Sequence, residues 1–431
     1  MIARAALAAA LFLPAVAAAQ NWQDLLRKGV DAAEKIQRQQ AQKPPAPKPA
    51  APQPAQKPAA PQAAAATPAL GPGELQLPLR RLPKVVSEFG MFLLVETDGK
   101  VLSWGEPQGD SSYIGDGTER GRREPEPLEG VTDIVDAAIS LRHSVLLRRD
   151  GTVLTWGRND NCDLTVKDDR KRLTPFQVPG VRSAVQVAAT EGFTAAVLQD
   201  GRVMVWGSPG GGFLADGRKD GACAYMPVLV EGLSGVKKLV INNSILVLKD
   251  DGTVWGWGPN RHGELCDGTT EPRYRPVQMK GIANAVDVAI STTSAVVLAD
   301  GTVWRCGMNA HADMAKKQEP ESVKYTTPQQ VAGITSAVAV YTNGPTFVRL
   351  KDGTLLGWGS GIFGALGNGH IEGTFPRPTP PIGLGPVLEL FLTNSTTFAI
   401  KADGIMWTWG GNRRELLTPS PWLRMKMPGG V

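Results

Sequence analysis

Tyrosine, histidine and cysteine are scarce in this chain of 431 residues, numbering five, four and four. The four histidines (His143, His262, His311 and His370) stand far apart, with none of the short spacings by which a fold gathers metal ligands. There is no Gly-x-Ser-x-Gly elbow, no Gly-x-x-x-x-Gly-Lys phosphate loop and no EF-hand loop, so the common signatures of acyl transfer, nucleotide binding and calcium binding are missing. No catalytic residue, metal site or cofactor is assigned. An enzyme would need a site assembled across distant segments, for example paired carboxylates acting on envelope glycans. Beyond the N-terminus no run reaches about 18 consecutive apolar residues, so no transmembrane segment is expected in the mature chain.

An excess of charge is also lacking where it would matter. The formal net charge is +5. Of the basic residues, Arg4 and seven more lie before residue 70, as do three acidic ones, which leaves 38 of each sign in residues 70–431. A nucleic-acid-binding domain gains much of its affinity by neutralising phosphates, and this balance gives no reason to expect nucleic acid as a partner. The start of the chain reads as a secretory signal over residues 1–19: Arg4, an apolar run from Ala5 to Val16, then Ala17-Ala18-Ala19 before Gln20. The expected location is therefore secreted or periplasmic, where cysteines can pair. Cys306 falls inside a strand core and is expected to be a free buried thiol. Any bridge would then come from Cys162, Cys223 and Cys266, in a pairing the sequence leaves open.

Residues 20–42 carry apolar side chains at helical spacing (Trp22, Leu25, Leu26, Val30, Ala33, Ile36) between charged ones, the pattern of a short amphipathic helix. It could serve a membrane surface, a partner or nothing. Residues 43–74 are rich in Pro, Ala and Lys, with almost nothing to bury, and read as a disordered, extended linker.

Tryptophan is the exception to the aromatic shortage: 11 residues against five tyrosines. Most sit in an internal repeat. DGKVLSWG (98–105) recurs as DGTVLTWG (150–157), DGRVMVWG (200–207), DGTVWGWG (251–258), DGTVWRCG (300–307), DGTLLGWG (352–359) and DGIMWTWG (403–410). The spacing is 49 to 52 residues, a period that marks a repeat architecture. Asp-Gly is a hairpin turn signal. The apolar residues on either side of it predict two buried strands. Each anchor (Trp104, Trp156, Trp206, Trp257, Trp358, Trp409, and Cys306 in the fifth copy) is expected to wedge between neighbouring sheets, with the indole N–H finding a partner. Pro-led stretches such as PFQVPG (175–180) and small-residue strands such as AVDVAIS (285–291) complete four strands per unit. Residues 75–431 are therefore expected to form an all-β, seven-bladed β-propeller of four-stranded antiparallel blades, with a β-solenoid or two stacked sandwiches as the runners-up. Either PLRRLPKVV (78–86) or PWLRMKMPGG (421–430) should complete the blade where the ring closes.

The seven Asp-Gly…Trp-Gly anchors, the loops NRHGELCDGT (260–269) and GIFGALGNG (361–369), and the strand RHSVLL (142–147) resemble the regulator of chromosome condensation repeat family. The resemblance covers about residues 75–431 and implies a seven-bladed propeller, here of a secreted bacterial type. The loop motif is eroded in copies two, three, five and seven. The family's founding member is an exchange factor for a nuclear GTPase, an activity the export signal disfavours. The reading adopted is a monomeric, non-enzymatic scaffold that binds a protein, an envelope-associated one among the candidates, through one propeller face. The alternatives are a glycan-acting enzyme or glycan-binding module, and an exchange-factor-like regulator. Candidate contact residues follow the Trp-Gly anchors: Tyr113, Arg158, Arg261, His262, Phe363, Arg413 and Arg414, side chains of the types favoured at interfaces.

Overall fold

The Asp-Gly pairs close a hairpin in every repeat. A computed structural model describes residues 82–88, 90–106, 113–160, 162–168, 170–219, 221–309, 323–393, 395–411 and 418–424, the last segment as backbone. In it the turn glycines (Gly99, Gly151, Gly201, Gly252, Gly301, Gly353 and Gly404) have φ of 75° to 85°, a conformation that costs other residues a steric penalty. Each preceding aspartate accepts the backbone N–H two residues on, at 2.9 to 3.1 Å. The seven carboxylates are thus occupied as Asx turns.

Each turn joins the second and third strands of a four-stranded antiparallel sheet, and the described residues form seven such sheets. Numbered in chain order, the blades are β1–β4 (84–127), β5–β8 (134–177), β9–β12 (184–229), β13–β16 (236–278), β17–β20 (285–330), β21–β24 (337–379) and β25–β28 (389–424). The protein is a seven-bladed β-propeller. Strands sandwiched between sheets are apolar throughout: β7 (Val153–Gly157), β10 (Phe193–Leu198) and β11 (Val203–Gly207) are buried at every position. The outer strands β8 (Arg172–Gln177) and β16 (Arg273–Gln278) are half-buried or exposed. Their Pro175 and Pro276 lie within the strand rather than leading it, which an edge strand tolerates because the missing N–H would face solvent.

The C-terminal segment completes the last blade: β28 (Thr418–Arg424) pairs with β27 (Ile405–Gly410). Residues Lys84–Glu88 instead supply β1, the innermost strand of blade 1. Among the described residues no strand is shared across the closing seam. Val85, Leu94, Phe398, Ile400 and Met406 pack across it, and Phe92 stacks on Trp104 with ring centroids 5.1 Å apart. The signal, helix and linker read over residues 1–74 lie outside the described residues.

The seams between blades are where the anchors act. Trp156, Trp206, Trp257, Trp358 and Trp409 are buried, and Trp104 is half-buried. Three indoles donate to the long loop of the preceding blade: Trp156 to the Tyr113 carbonyl (2.8 Å), Trp257 to that of Phe213 (2.9 Å) and Trp409 to that of Ala365 (2.8 Å). The Nε1 of Trp206 is buried without a partner among the described residues, contrary to expectation. Where the loop carries glycine the indole lies against it: a Cβ at Gly115 would stand 2.9 Å from Trp156, and one at Gly367 would stand 3.0 Å from Trp409.

One bridge joins two of the three cysteines expected to supply it, and the expectation for Cys306 is overturned. Cys306 is not a free thiol. It is disulfide-bonded to Cys266, with Cα atoms 5.7 Å apart, and Cys162 is bonded to Cys223, at 5.9 Å. Cys266 occupies the loop position that is Gly115 in blade 1 and Gly367 in blade 6. It adopts the same left-handed conformation, with φ of 55° against 96° and 64°. The blade 4–5 seam has therefore exchanged both halves of the glycine–indole contact for a covalent bond. A lone substitution of Trp by Cys would leave a cavity, but the paired exchange fills the seam and ties it. Single C306A or C266A variants should lose about 2–5 kcal/mol, the usual cost of removing a native disulfide. The C266G/C306W double variant should recover most of that loss by restoring the wedge, as read by chemical denaturation with and without reductant.

Candidate functional site

Strand alternation sorts the loops onto two faces. Within a blade, the turn between the first and second strands lies at the same end as the long loop after Trp-Gly, and the Asp-Gly turn lies at the other. Every candidate contact residue belongs to a long loop, so those described share one face, called here the long-loop face. Arg413 and Arg414 lie outside the described residues. The rest differ in setting. Tyr113 is 9% exposed, its carbonyl held by Trp156, with the Lys171 ammonium 5.6 Å from its ring centroid. Arg158 lines a cleft of about 390 Å³ with Tyr113, Asn159, Asp160, Arg170 and Lys171. Arg261 is exposed and His262 half-buried on blade 4. Phe363 is exposed on blade 6 beside the exposed Ile362, with φ of 61°. The structure thus brings Tyr113 and Arg158 together in one cleft, and sets Arg261 with His262 and Phe363 in separate sectors.

The Arg158 guanidinium beside Asp160 holds its carboxyl far below the usual carboxylate range, against the opposing effect of burial. Arg142 adds a second bond to Asp160 (2.7 Å) and reaches Glu191 of the next blade (3.2 Å). Arg142 and Arg158 are therefore engaged within the molecule. Among the described residues no group of three or more metal-ligating side chains occurs, and no helix is long and apolar enough to cross a membrane.

The innermost strands line a central channel of about 640 Å³. Around it runs a girdle of polar bonds between blades. Asp136 takes Lys84 of blade 1 (2.5 Å) and the Val187 N–H of blade 3 (3.1 Å). Gln186 exchanges two bonds with the Leu239 backbone of blade 4 (2.7 and 2.9 Å). Asp287 takes Lys238 (2.5 Å) and the Val340 N–H (2.9 Å). Tyr341 donates to Glu389 (2.8 Å). Asp136, Gln186 and Asp287 thereby cover inner-edge N–H groups that would otherwise face the channel as unpaired donors. The residue-by-residue reading missed them. The signal was a polar residue near the start of six of the seven inner strands (Lys84, Asp136, Gln186, Lys238, Asp287 and Glu389, with Ala339 there in blade 6), conspicuous once the repeats are superposed.

Comparison with known proteins agrees with this geometry. Models of the regulator of chromosome condensation (RCC1) repeat match residues 150–197 and 251–298, and a second model of the same repeat matches residues 134–161. The chain carries RCC1 repeats. Human HERC2, an E3 ubiquitin-protein ligase, is 42% identical over 67 residues, 15% of this chain but 1% of HERC2. The RCC2 homolog of Danio rerio is 36% identical over 69 residues, 16% of this chain and 14% of that protein. The matched segment is thus a small part of either relative. Among solved structures, Prp20p of Saccharomyces cerevisiae superposes with a TM-score of 0.61 at 19% identity, covering 77% of this chain and 85% of that one. Human WBSCR16 does so with a TM-score of 0.60 at 20% identity, covering 71% and 84%. At such identities these two likenesses speak to fold.

One joint of this RCC1-repeat propeller is sensitive to acid. His143, fully buried at the blade 2–3 seam, pairs its Nδ1 with Ser140 Oγ (2.9 Å) and its Nε2 with Thr194 Oγ1 across the seam (2.7 Å). Burial pushes its pKa down to about 3. An unfolded chain takes up this proton near pH 6.5, whereas the folded one resists until about pH 3. The penalty is therefore absent above pH 6.5 and grows as pH falls toward 3. Between pH 7 and 5 the wild-type chain should lose about 2 kcal/mol through this residue. In H143N the same measurement by urea denaturation should show a flatter pH profile.

Proposed function

We propose that this RCC1-repeat propeller is an exported scaffold that docks a protein partner on its long-loop face. An RCC1-like propeller fits a protein-binding scaffold, and its neighbours in fold include proteins with protein partners: Prp20p is described by its binding to Gsp1p and histones, and yeast Prp20 forms a complex with Kap60. The observation that carries the reading is the placement of Arg158, Arg261, His262 and the exposed Phe363 on loops of one face, held by a closed ring of seven sheets. Rigid presentation of aromatic and Arg side chains lowers the entropic cost of docking. Export is supported by the N-terminal pattern of residues 1–19 and by two disulfides, which persist in oxidising compartments. The Asp-Gly carboxylates, already occupied as turn caps, offer nothing to a catalytic reading.

The test is capture from envelope fractions with the full chain, compared with F363A and R261E on the long-loop face and with K237E on the opposite face. A specific protein should be enriched by the wild-type chain and by K237E. F363A and R261E should each weaken its binding by about tenfold or more, the effect of a hot-spot side chain. Equal capture by all four, or recovery of the processed chain only in the cytoplasm, removes the proposal.

A further inference from the structure

The groove between blades 3 and 4 opens directly into the channel. Thr190, Glu191, Asn242 and Asn243 line both, and Gly192, Ser208 and Phe213 complete the groove, whose volume is about 290 Å³. Asn243 is exposed and Asn242 half-buried. Among the described residues neither amide side chain makes a hydrogen bond within the protein. Phe213 is half-buried, tilted on Phe193 with ring centroids 5.2 Å apart, and its backbone is fixed by Trp257. The site therefore presents amides, hydroxyls, one carboxylate and a ring on a backbone already ordered.

Its electrostatics narrow the ligand. Arg142 is engaged by Asp160 and Glu191, and the two lysines that line the channel are engaged as well, Lys84 by Asp136 and Lys238 by Asp287. Nothing here favours a phosphate or carboxylate ligand. An extended peptide adding itself to the inner strands would find the N–H groups of Val187, Leu239 and Val340 already bonded. A ligand whose polar groups both donate and accept suits a primary amide, which offers both from one plane. Apolar C–H surface suits the face of an aromatic ring.

We propose that this mouth binds a neutral oligosaccharide, with sugar hydroxyls paired to Asn242, Asn243, Thr190 and Glu191 and one pyranose face lying against Phe213. The ligand sits at the mouth of the channel, in a groove whose lining includes neither Arg261 nor Phe363, so different side chains test the two roles. The experiment is calorimetric titration of the full chain with chitotetraose, cellotetraose and maltotetraose. At least one should bind saturably. N242A/N243A should weaken that binding by about tenfold or more, as expected when two neutral hydrogen bonds are lost, with an unchanged thermal midpoint. F213L should weaken it as well. R158A, in the separate cleft, should leave it unaltered. Absence of saturable binding to all three sugars, or binding that N242A/N243A leaves unchanged, overturns the proposal. So does saturable binding of an uncharged Ser/Asn-rich peptide in place of the sugars. Partner capture by N242A/N243A should match that of the wild-type chain, which separates failure here from failure of the docking role.

Discussion

What joins one blade to the next governs the rest of this molecule. A single four-stranded sheet with both faces apolar cannot stand alone in water, and every face is covered only by its neighbours. The indole at the end of the third strand enters the seam, and in blades 2, 4 and 7 it donates to a carbonyl in the long loop of the preceding blade, as Trp156 does to Tyr113 and Trp409 to Ala365. That bond satisfies the one polar atom of a large apolar side chain, so burial stabilises without leaving an orphaned donor. The same bond fixes the loop that carries the candidate contact residues. Seam packing and loop order are therefore one event: Tyr113 holds the anchor through its backbone, Ile114 beside it is buried, and the loop turns to solvent from Asp116.

The blade 4–5 seam is informative because it departs from this rule. With Cys306 in place of the indole, the volume and the hydrogen bond are both lost, and Cys266 in place of glycine supplies a covalent link instead. Only an oxidising compartment keeps such a link closed, which connects seam chemistry to the proposed export. At the centre of the ring the constraint is different. Inner strands are edges, and Asp136, Gln186 and Asp287 close them by capping the N–H groups of the following blade. The girdle leaves the channel polar but without an uncommitted cation among the described residues, and this charge economy shapes what the mouth can accept.

Much of this was legible before any coordinates. The DGTVLTWG segment at 150–157 and its six relatives specify turn, strand and wedge within eight residues, because hairpin geometry and side-chain alternation are local properties. The candidate site was legible only as residue types on loops. Arg158 and Phe363 look equivalent in the sequence. One is tied to Asp160 in a cleft and the other stands exposed beside Ile362, a difference that depends on which loops lie next to each other.

The sequence by itself determined the number of blades, the order of strands within each, and the side chains that enter the seams, since a repeat of about 51 residues writes the same short-range pattern seven times. Only the tertiary structure decided which cysteines meet, that residues 418–424 complete blade 7 while residues 84–88 open blade 1, and which partners Asp136 and Asp287 take. Those contacts join residues from neighbouring repeats, 40 positions apart for Cys266 and Cys306 and 61 for Cys162 and Cys223. No local preference sets such distances; closing the ring does.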